Sequence, residues 1–201
     1  MIKLYNLPRS GNCYKIRLLL ALLDLEHEII DIDAKAGENT TAEFLRLNPR
    51  GQLPVLDDDG EVLWDSTAIL VYLADRYGGD DWLPRDSLGL ARVMQWLALE
   101  QNEGRYGLAR ARAHALGNPN AFARDANPEE CRALAMTALQ VLEERLAAND
   151  WLAADQVTIA DIACYPYVAM AGEGNIDIAP FAAVQTWTRR IAKLPRYLPL
   201  P

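Results

Sequence analysis

Two side chains three positions apart set the first chemical possibility of this chain: Ser10 and Cys13, in the run Pro8, Arg9, Ser10, Gly11, Asn12, Cys13. The spacing matches a redox Cys-x-x-Cys with the first sulfur replaced by oxygen. Dithiol exchange within the pair is then unavailable, although an external thiol can occupy the vacant position. Ser10 stands where a strand gives way to a helix, and the unpaired amides of a helix start favour an anion, to which a hydroxyl adds one more donor. Serine is also a common helix cap, so the residue reads either as a cap or as a donor to a bound anion. Cys13 reads as a packing residue on the helix or as a nucleophile.

A second run, Asn48, Pro49, Arg50, Gly51, Gln52, Leu53, Pro54, Val55, Leu56, is a turn leading into a strand that begins with proline. Proline has no amide to pair, and a cis Leu53-Pro54 bond would turn the Leu53 main chain toward an open cleft, where an extended peptide could add as a strand. An ordinary trans proline opening an edge strand is the other reading. The third signal is Asp65 with Ser66 at a helix start. The helix end and hydroxyl suit a carboxylate, and Asp65 suits an ammonium group; a capped helix start explains the same residues.

The elements that must position these residues follow from periodicity. Ile2 to Asn6 reads as a strand, and a helix begins near Gly11 or Asn12 with Ile16, Leu19, Leu20 and Leu23 on one stripe. A strand at His27 to Ile32, a helix at Ala42 to Leu47, and a hairpin of Pro54 to Asp57 with Glu61 to Trp64 follow. Ser66 then caps a helix carrying Ile69, Leu70, Leu73 and Tyr77. The order gives an α/β unit of thioredoxin type over residues 1–77, with a right-handed crossover between the first two strands. After a linker at 78–86, residues 87–201 read as all-helical. Helices are expected at Ser87 to Leu116, Pro128 to Ala148, from Thr158, and near Ala183 to Lys193. Thr158 and Asp161 form a variant capping box, and Pro166 should kink or end its helix.

Composition narrows the class. The apolar fraction of 51% builds real cores, and the apolar stretch Leu18 to Leu23 is far too short to span a membrane. A net charge of −8 argues against nucleic acid or anionic lipid as a partner, and an anionic small ligand would need a local basic pocket. Three widely spaced cysteines indicate neither a disulfide framework nor a metal site. Met1 to Tyr5 opens as a strand rather than a leader, so a cytoplasmic protein is expected.

Taken together, Ser10 in its Pro-Arg-Ser-Gly-Asn-Cys setting, the Asn48 to Leu56 run, Asp65 with Ser66, and Thr158 to Asp161 resemble cytosolic glutathione transferases in order and spacing. The pattern is similar to bacterial and serine-type members, over essentially the whole chain. The resemblance implies a thioredoxin-like domain followed by a helical bundle domain, and glutathione as co-substrate with no metal. It implies a glutathione thiolate held near Ser10, with Leu53 pairing the cysteinyl unit across a cis Pro54. Asp65 and Ser66 would hold the γ-glutamyl end, and Gln52 the glycyl side. Family members often carry Glu or Gln where this chain has Asp65. Lys35, Thr40 and Arg50 are candidates around the glycyl carboxylate. A homodimer is implied, pairing the first half of one subunit with the helical half of the other.

The implied chemistry is sufficient in magnitude. A thiol with pKa near 8.5 is mostly protonated at neutral pH; lowering it by two units needs about 2.7 kcal/mol of thiolate stabilisation. One hydrogen bond to a charged group contributes roughly 1.5 to 3 kcal/mol. The sulfur would then attack a hydrophobic electrophile held by the helical half. Tyr106 and Arg110, one helical turn apart, and Tyr165 with Tyr167 and Met170 are candidates for that second site. Core packing for the aromatics and a solvated face for Arg105, Arg110 and Arg112 are the other reading. Two further functions remain open: a glutathione-dependent disulfide reductase or peroxidase, and a non-catalytic interaction module.

Overall fold

The computed structural model describes residues 1–118 and 120–201, which form two compact units: Met1–Asp80 with Leu194–Pro201, and Asp81–Lys193. The boundary falls inside the 78–86 segment read as a linker, and the last eight residues join the first unit, not the helical one.

In the first unit, strands β1 (Ile2–Asn6), β2 (His27–Asp31), β3 (Val55–Asp58) and β4 (Glu61–Trp64) form one sheet in the order β2-β1-β3-β4. β1 and β2 are parallel, while β1–β3 and β3–β4 are antiparallel. Helix α1 (Gly11–Leu22) makes the crossover between the parallel strands, α2 (Ala42–Leu47) precedes β3, and α3 (Ser66–Leu73) follows β4. Side chains alternate along β1, so Ile2 and Leu4 are buried on one face while Tyr5 on the other meets Phe44 of α2 edge-on at 6.3 Å. Leu4, Leu56, Ile16, Leu19, Leu20, Ile69 and Leu70 are wholly buried and make the core of this unit, where α1 packs on α3.

Two local expectations change. Asp65, not Ser66, is the N-cap of α3: its carboxylate accepts from the Thr67 amide, and Ser66 is the first helical residue. Helix α1 is also buried more fully than one stripe requires, since Cys13, Tyr14, Lys15 and Leu18 are inaccessible too. The returning C-terminal tail accounts for part of this. The Tyr14 hydroxyl donates to the Leu198 carbonyl at 2.5 Å, and Arg196 reaches Asp24 at 2.8 Å.

In the second unit, the expected long helix is three pieces: α4 (Ser87–Leu99), a π-helical stretch Glu100–Ala109, and α5 (Arg110–Ala115). A short α6 (Ala121–Arg124) stands in the Pro/Asn-rich loop, where no element was expected. Then come α7 (Pro128–Leu146), α8 (Ile159–Ala169) and α9 (Ala182–Ile191). Helix α8 runs through Pro166 and ends at Ala169. No strand follows β4 among the described residues. Asp161 closes the capping box expected at Thr158 and also accepts from the Leu152 amide and the Trp187 indole.

The π-helical stretch packs against α7 through Gly107, where a Cβ would lie 2.4 Å from the Ala135 nitrogen. Backbone on both sides leaves no flexible neighbour to yield. Gly107→Ala is therefore expected to destabilise the helical unit by about 1–3 kcal/mol or more, read as a lowered midpoint of thermal or urea unfolding.

Candidate functional site

The sheet register brings the chemistry-bearing segments of the first unit together. Tyr5 pairs with Val55, and Val55 pairs with Trp64, so these three lie in one row across β1, β3 and β4. The chain just past Tyr5, just before Val55 and just past Trp64 therefore leaves the sheet at the same end. Those segments carry Ser10, Leu53 with Pro54, and Asp65 with Ser66.

Ser10 is the N-cap of α1, and its Oγ accepts from the Cys13 amide at 3.3 Å. A hydroxyl that accepts an amide hydrogen still has its own proton to donate, so cap and anion donor are compatible roles for one side chain. The turn is fixed by the Ser10 amide donating to the Leu7 carbonyl at 2.9 Å and by Arg17 donating to the Pro8 carbonyl at 2.8 Å. Cys13 is wholly buried, and its sulfur accepts from the Leu7 amide at 3.3 Å. Burial pushes its thiol up to about 11, outweighing the opposite pull of the Leu7 amide and the Ser10 hydroxyl. It is a packing residue, protonated at neutral pH.

The second segment is organised by a residue whose role the sequence did not announce. Asn48 is buried, donates to the Gln52 carbonyl at 2.7 Å and accepts from the Arg50 amide at 3.0 Å. Asn39 adds a bond to the Gly51 carbonyl at 2.6 Å, and Gly51 takes the left-handed φ of +59° that the turn needs. The loop delivers Leu53 and Pro54 with a cis peptide bond between them. Among the described residues, nothing hydrogen-bonds to the Leu53 amide or carbonyl, so both are open to a partner. Gln52 is exposed.

Asp65 has φ +75° and ψ 125°, a conformation that is strained for any residue with a Cβ. One carboxylate oxygen caps α3 and the other meets Arg50 Nη1 at 3.3 Å, while the Arg50 guanidinium lies 5.6 Å over the Trp64 ring. Arg50 thus neutralises Asp65 instead of standing apart as an anion receptor. Ser66 is buried at the helix start. Lys35 is exposed in a turn held by Asp33, and the Thr40 hydroxyl donates to the Gly37 carbonyl at 2.8 Å.

In the helical unit the three candidates separate. Tyr165 is 2% exposed, edge-on to Trp187 at 6.1 Å; it is a core residue. Arg110 donates to the main-chain carbonyls of Phe122 and Asp125, each at 2.8 Å, so it holds a loop. Tyr106 alone keeps an open ring, 44% exposed, beside Phe122 at 5.9 Å.

Two family profiles cover most of the chain: glutathione S-transferase, N-terminal domain, over residues 1–75, and glutathione S-transferase, C-terminal domain, over residues 99–195. The disulfide-bond oxidoreductase YfcG of Escherichia coli (strain K12) is 32% identical, over 97% of this chain and 92% of its own. The chain belongs to the glutathione S-transferase family. A crystal structure of a glutathione S-transferase from Pseudomonas fluorescens superimposes with a TM-score of 0.91 at 37% identity, covering 99% of this transferase and 98% of the other chain. A glutathione transferase homolog from Lodderomyces elongisporus, crystallised with two GSH per subunit, gives a TM-score of 0.85 at 26% identity, covering 97% and 94%. Within the described residues of this transferase, no group of His, Cys, Asp and Glu has the arrangement of a metal site, and no helix is long and apolar enough to cross a membrane.

Proposed function

We propose that this transferase binds glutathione and uses Ser10 to hold its sulfur as the thiolate, which then attacks a hydrophobic electrophile. The observation that carries the reading is the common register of Tyr5, Val55 and Trp64, which sends the Ser10 turn, the open Leu53 peptide group and the Asp65 helix start out of one end of the sheet. In this reading Leu53 pairs the cysteinyl unit as an added strand, and the α3 start with Ser66 receives the γ-glutamyl carboxylate. Asp65 receives the ammonium group, with Arg50 sharing it; Gln52 reaches the glycyl side, and Lys35 is a weaker candidate for that carboxylate. Retention on immobilised glutathione and turnover of an aryl halide test the proposal. A folded protein that does neither would instead be a non-catalytic interaction module.

A second reading, glutathione-dependent disulfide reduction, is supported by the name of the Escherichia coli relative. Cys13 is too deeply buried to supply the sulfur, so bound glutathione would have to do so. Turnover of a mixed disulfide without turnover of an aryl halide would select this reading over conjugation.

Asp65→Asn separates binding from capping. The amide oxygen still caps α3, but the charge that attracts an ammonium group is gone. KM for glutathione is expected to rise about tenfold with kcat little changed, which corresponds to about 1.4 kcal/mol of uniform binding. Asp65→Ala should show the same rise in KM and also lose about 1 kcal/mol of stability with the cap. Steady-state kinetics with glutathione varied, alongside urea melts, check both.

We read the assembly as a homodimer in the cytoplasm. Val62 and Trp64 on edge strand β4, and Leu88 and Met94 on α4, are exposed apolar side chains available for such a contact. Sedimentation velocity should give twice the chain mass.

A further inference from the structure

The chain passes from β1 to Ser10 through Leu7, Pro8 and Arg9, and the Ser10 amide closes this segment as a β-turn on the Leu7 carbonyl at 2.9 Å. Pro8 presets the first central position, and Arg9 keeps a negative φ at the second. The peptide group between those two residues is the one whose reversal separates type I from type II turns. Its carbonyl, that of Pro8, accepts from Arg17 Nη2 at 2.8 Å. Arg17 stands on α1 and reaches back toward the helix start, the direction in which long helical side chains lean. Its guanidinium lies 5.9 Å over the ring of the wholly buried Tyr14, whose hydroxyl is tied to the Leu198 carbonyl. The contact has a cost: among the described residues Arg17 Nε is buried without a hydrogen-bond partner, which disfavours the fold.

We infer that Arg17 is a positioning residue, which pins the middle peptide of the Leu7 to Ser10 turn and so holds the Ser10 hydroxyl in the orientation that the bound sulfur needs. Ser10 is then fixed from two directions. The Cys13 amide anchors its side chain, and Arg17 anchors the main chain that leads into it. Among the described residues the hydrogen bond of Arg17 goes to this turn and to neither the Leu53 nor the Asp65 segment. Its loss should therefore lower the rate of bound glutathione rather than weaken its binding. The unpaired Nε separates this role from a purely structural one. Methionine keeps the apolar stem of Arg17 and removes the buried unpaired donor, so the fold has little to lose from the exchange. The inference rests on the reading of Ser10 as the thiolate donor.

Arg17→Met and Arg17→Lys in the full chain test it by two measurements. Amide hydrogen exchange, read without glutathione, should quicken about tenfold at Ser10 and Cys13 in Arg17→Met while the amides of β1 and β3 keep their wild-type rates. With glutathione and an aryl halide, kcat of Arg17→Met should fall about tenfold with KM for glutathione within about twofold of wild type, and the bound thiol should titrate about one unit higher. Arg17→Lys keeps one donor and should recover part of each effect. Urea melts are expected to show both variants folded, with midpoints near that of wild type. Unchanged exchange at Ser10 and Cys13, or wild-type kcat in folded Arg17→Met, overturns the inference. A loss of stability with turnover per folded molecule unchanged assigns Arg17 to the fold alone and overturns it equally. Exchange needs no glutathione, so a wild-type bound thiol that titrates at its free value would defeat the Ser10 reading separately, with the exchange pattern still deciding whether Arg17 pins the turn.

Discussion

Ser10→Ala is expected to lower kcat/KM for conjugation by about 10- to 150-fold, the equivalent of the 1.5–3 kcal/mol contributed by one hydrogen bond to a charged group. The hydroxyl is already anchored by the Cys13 amide, so its proton is directed and the thiolate need not organise it. The same substitution removes an N-cap and costs about 1 kcal/mol of stability, too little to unfold a domain of ordinary stability. Loss of rate with the fold kept is therefore the expected combination, and stopped assays beside a urea melt report both. Cys13→Ala is the matching control. That thiol is buried and protonated, so its loss should lower stability while leaving turnover per folded molecule unchanged.

Asp161→Asn should destabilise the helical unit by about 1–3 kcal/mol near neutral pH, the cost of leaving a buried donor unpaired. The wild-type carboxylate is wholly buried and accepts from the Leu152 amide, the Thr158 amide and hydroxyl, and Trp187 Nε1. A carboxamide of the same shape turns an NH2 group toward some of those donors and leaves them unpaired. Burial also pushes the Asp161 carboxyl up to about 6, against the pull of its four donors. The folded state therefore holds a proton that the unfolded chain releases near the ordinary value of 3.8. This group's contribution is full below that value and is lost as pH rises through about 6. The stability gap between wild type and Asp161→Asn should change across that window, and urea melts at several pH values would show it.

Much of the fold was legible because period and punctuation agreed. Gly11, the Asn48-Pro49 stop and the Thr158 box all mark element ends where local chemistry decides them. What escaped depends on distance or on backbone winding. Part of the extra burial of α1 comes from a tail that returns across 184 positions to Tyr14, which no local window reveals. A π-helical stretch carries no apolar period of its own, so Glu100–Ala109 read as ordinary helix. The cap of α3 moved from Ser66 to Asp65 because both are good capping residues and only the backbone angles decide between them.

The candidate site divides in the same way. Ser10, Leu53, Pro54, Asp65 and Ser66 were visible as local motifs, and pairing in one sheet explains their convergence. Arg50 was singled out for its charge, yet the nearest acid claimed it, and Asn48 was read only as a helix stop. In the helical unit, spacing alone could not separate Tyr165 in the core or Arg110 on carbonyls from the open Tyr106.

The most direct test is the thiol titration of glutathione bound to the protein, followed by the ultraviolet absorbance of the thiolate as pH is raised. With wild type, the sulfur should ionise about two units below the ordinary thiol value of about 8.5, and Ser10→Ala should return it most of the way. A bound thiol that titrates at its free value, or one that stays depressed when the Ser10 hydroxyl is gone, would contradict the assignment of Ser10 as the thiolate donor.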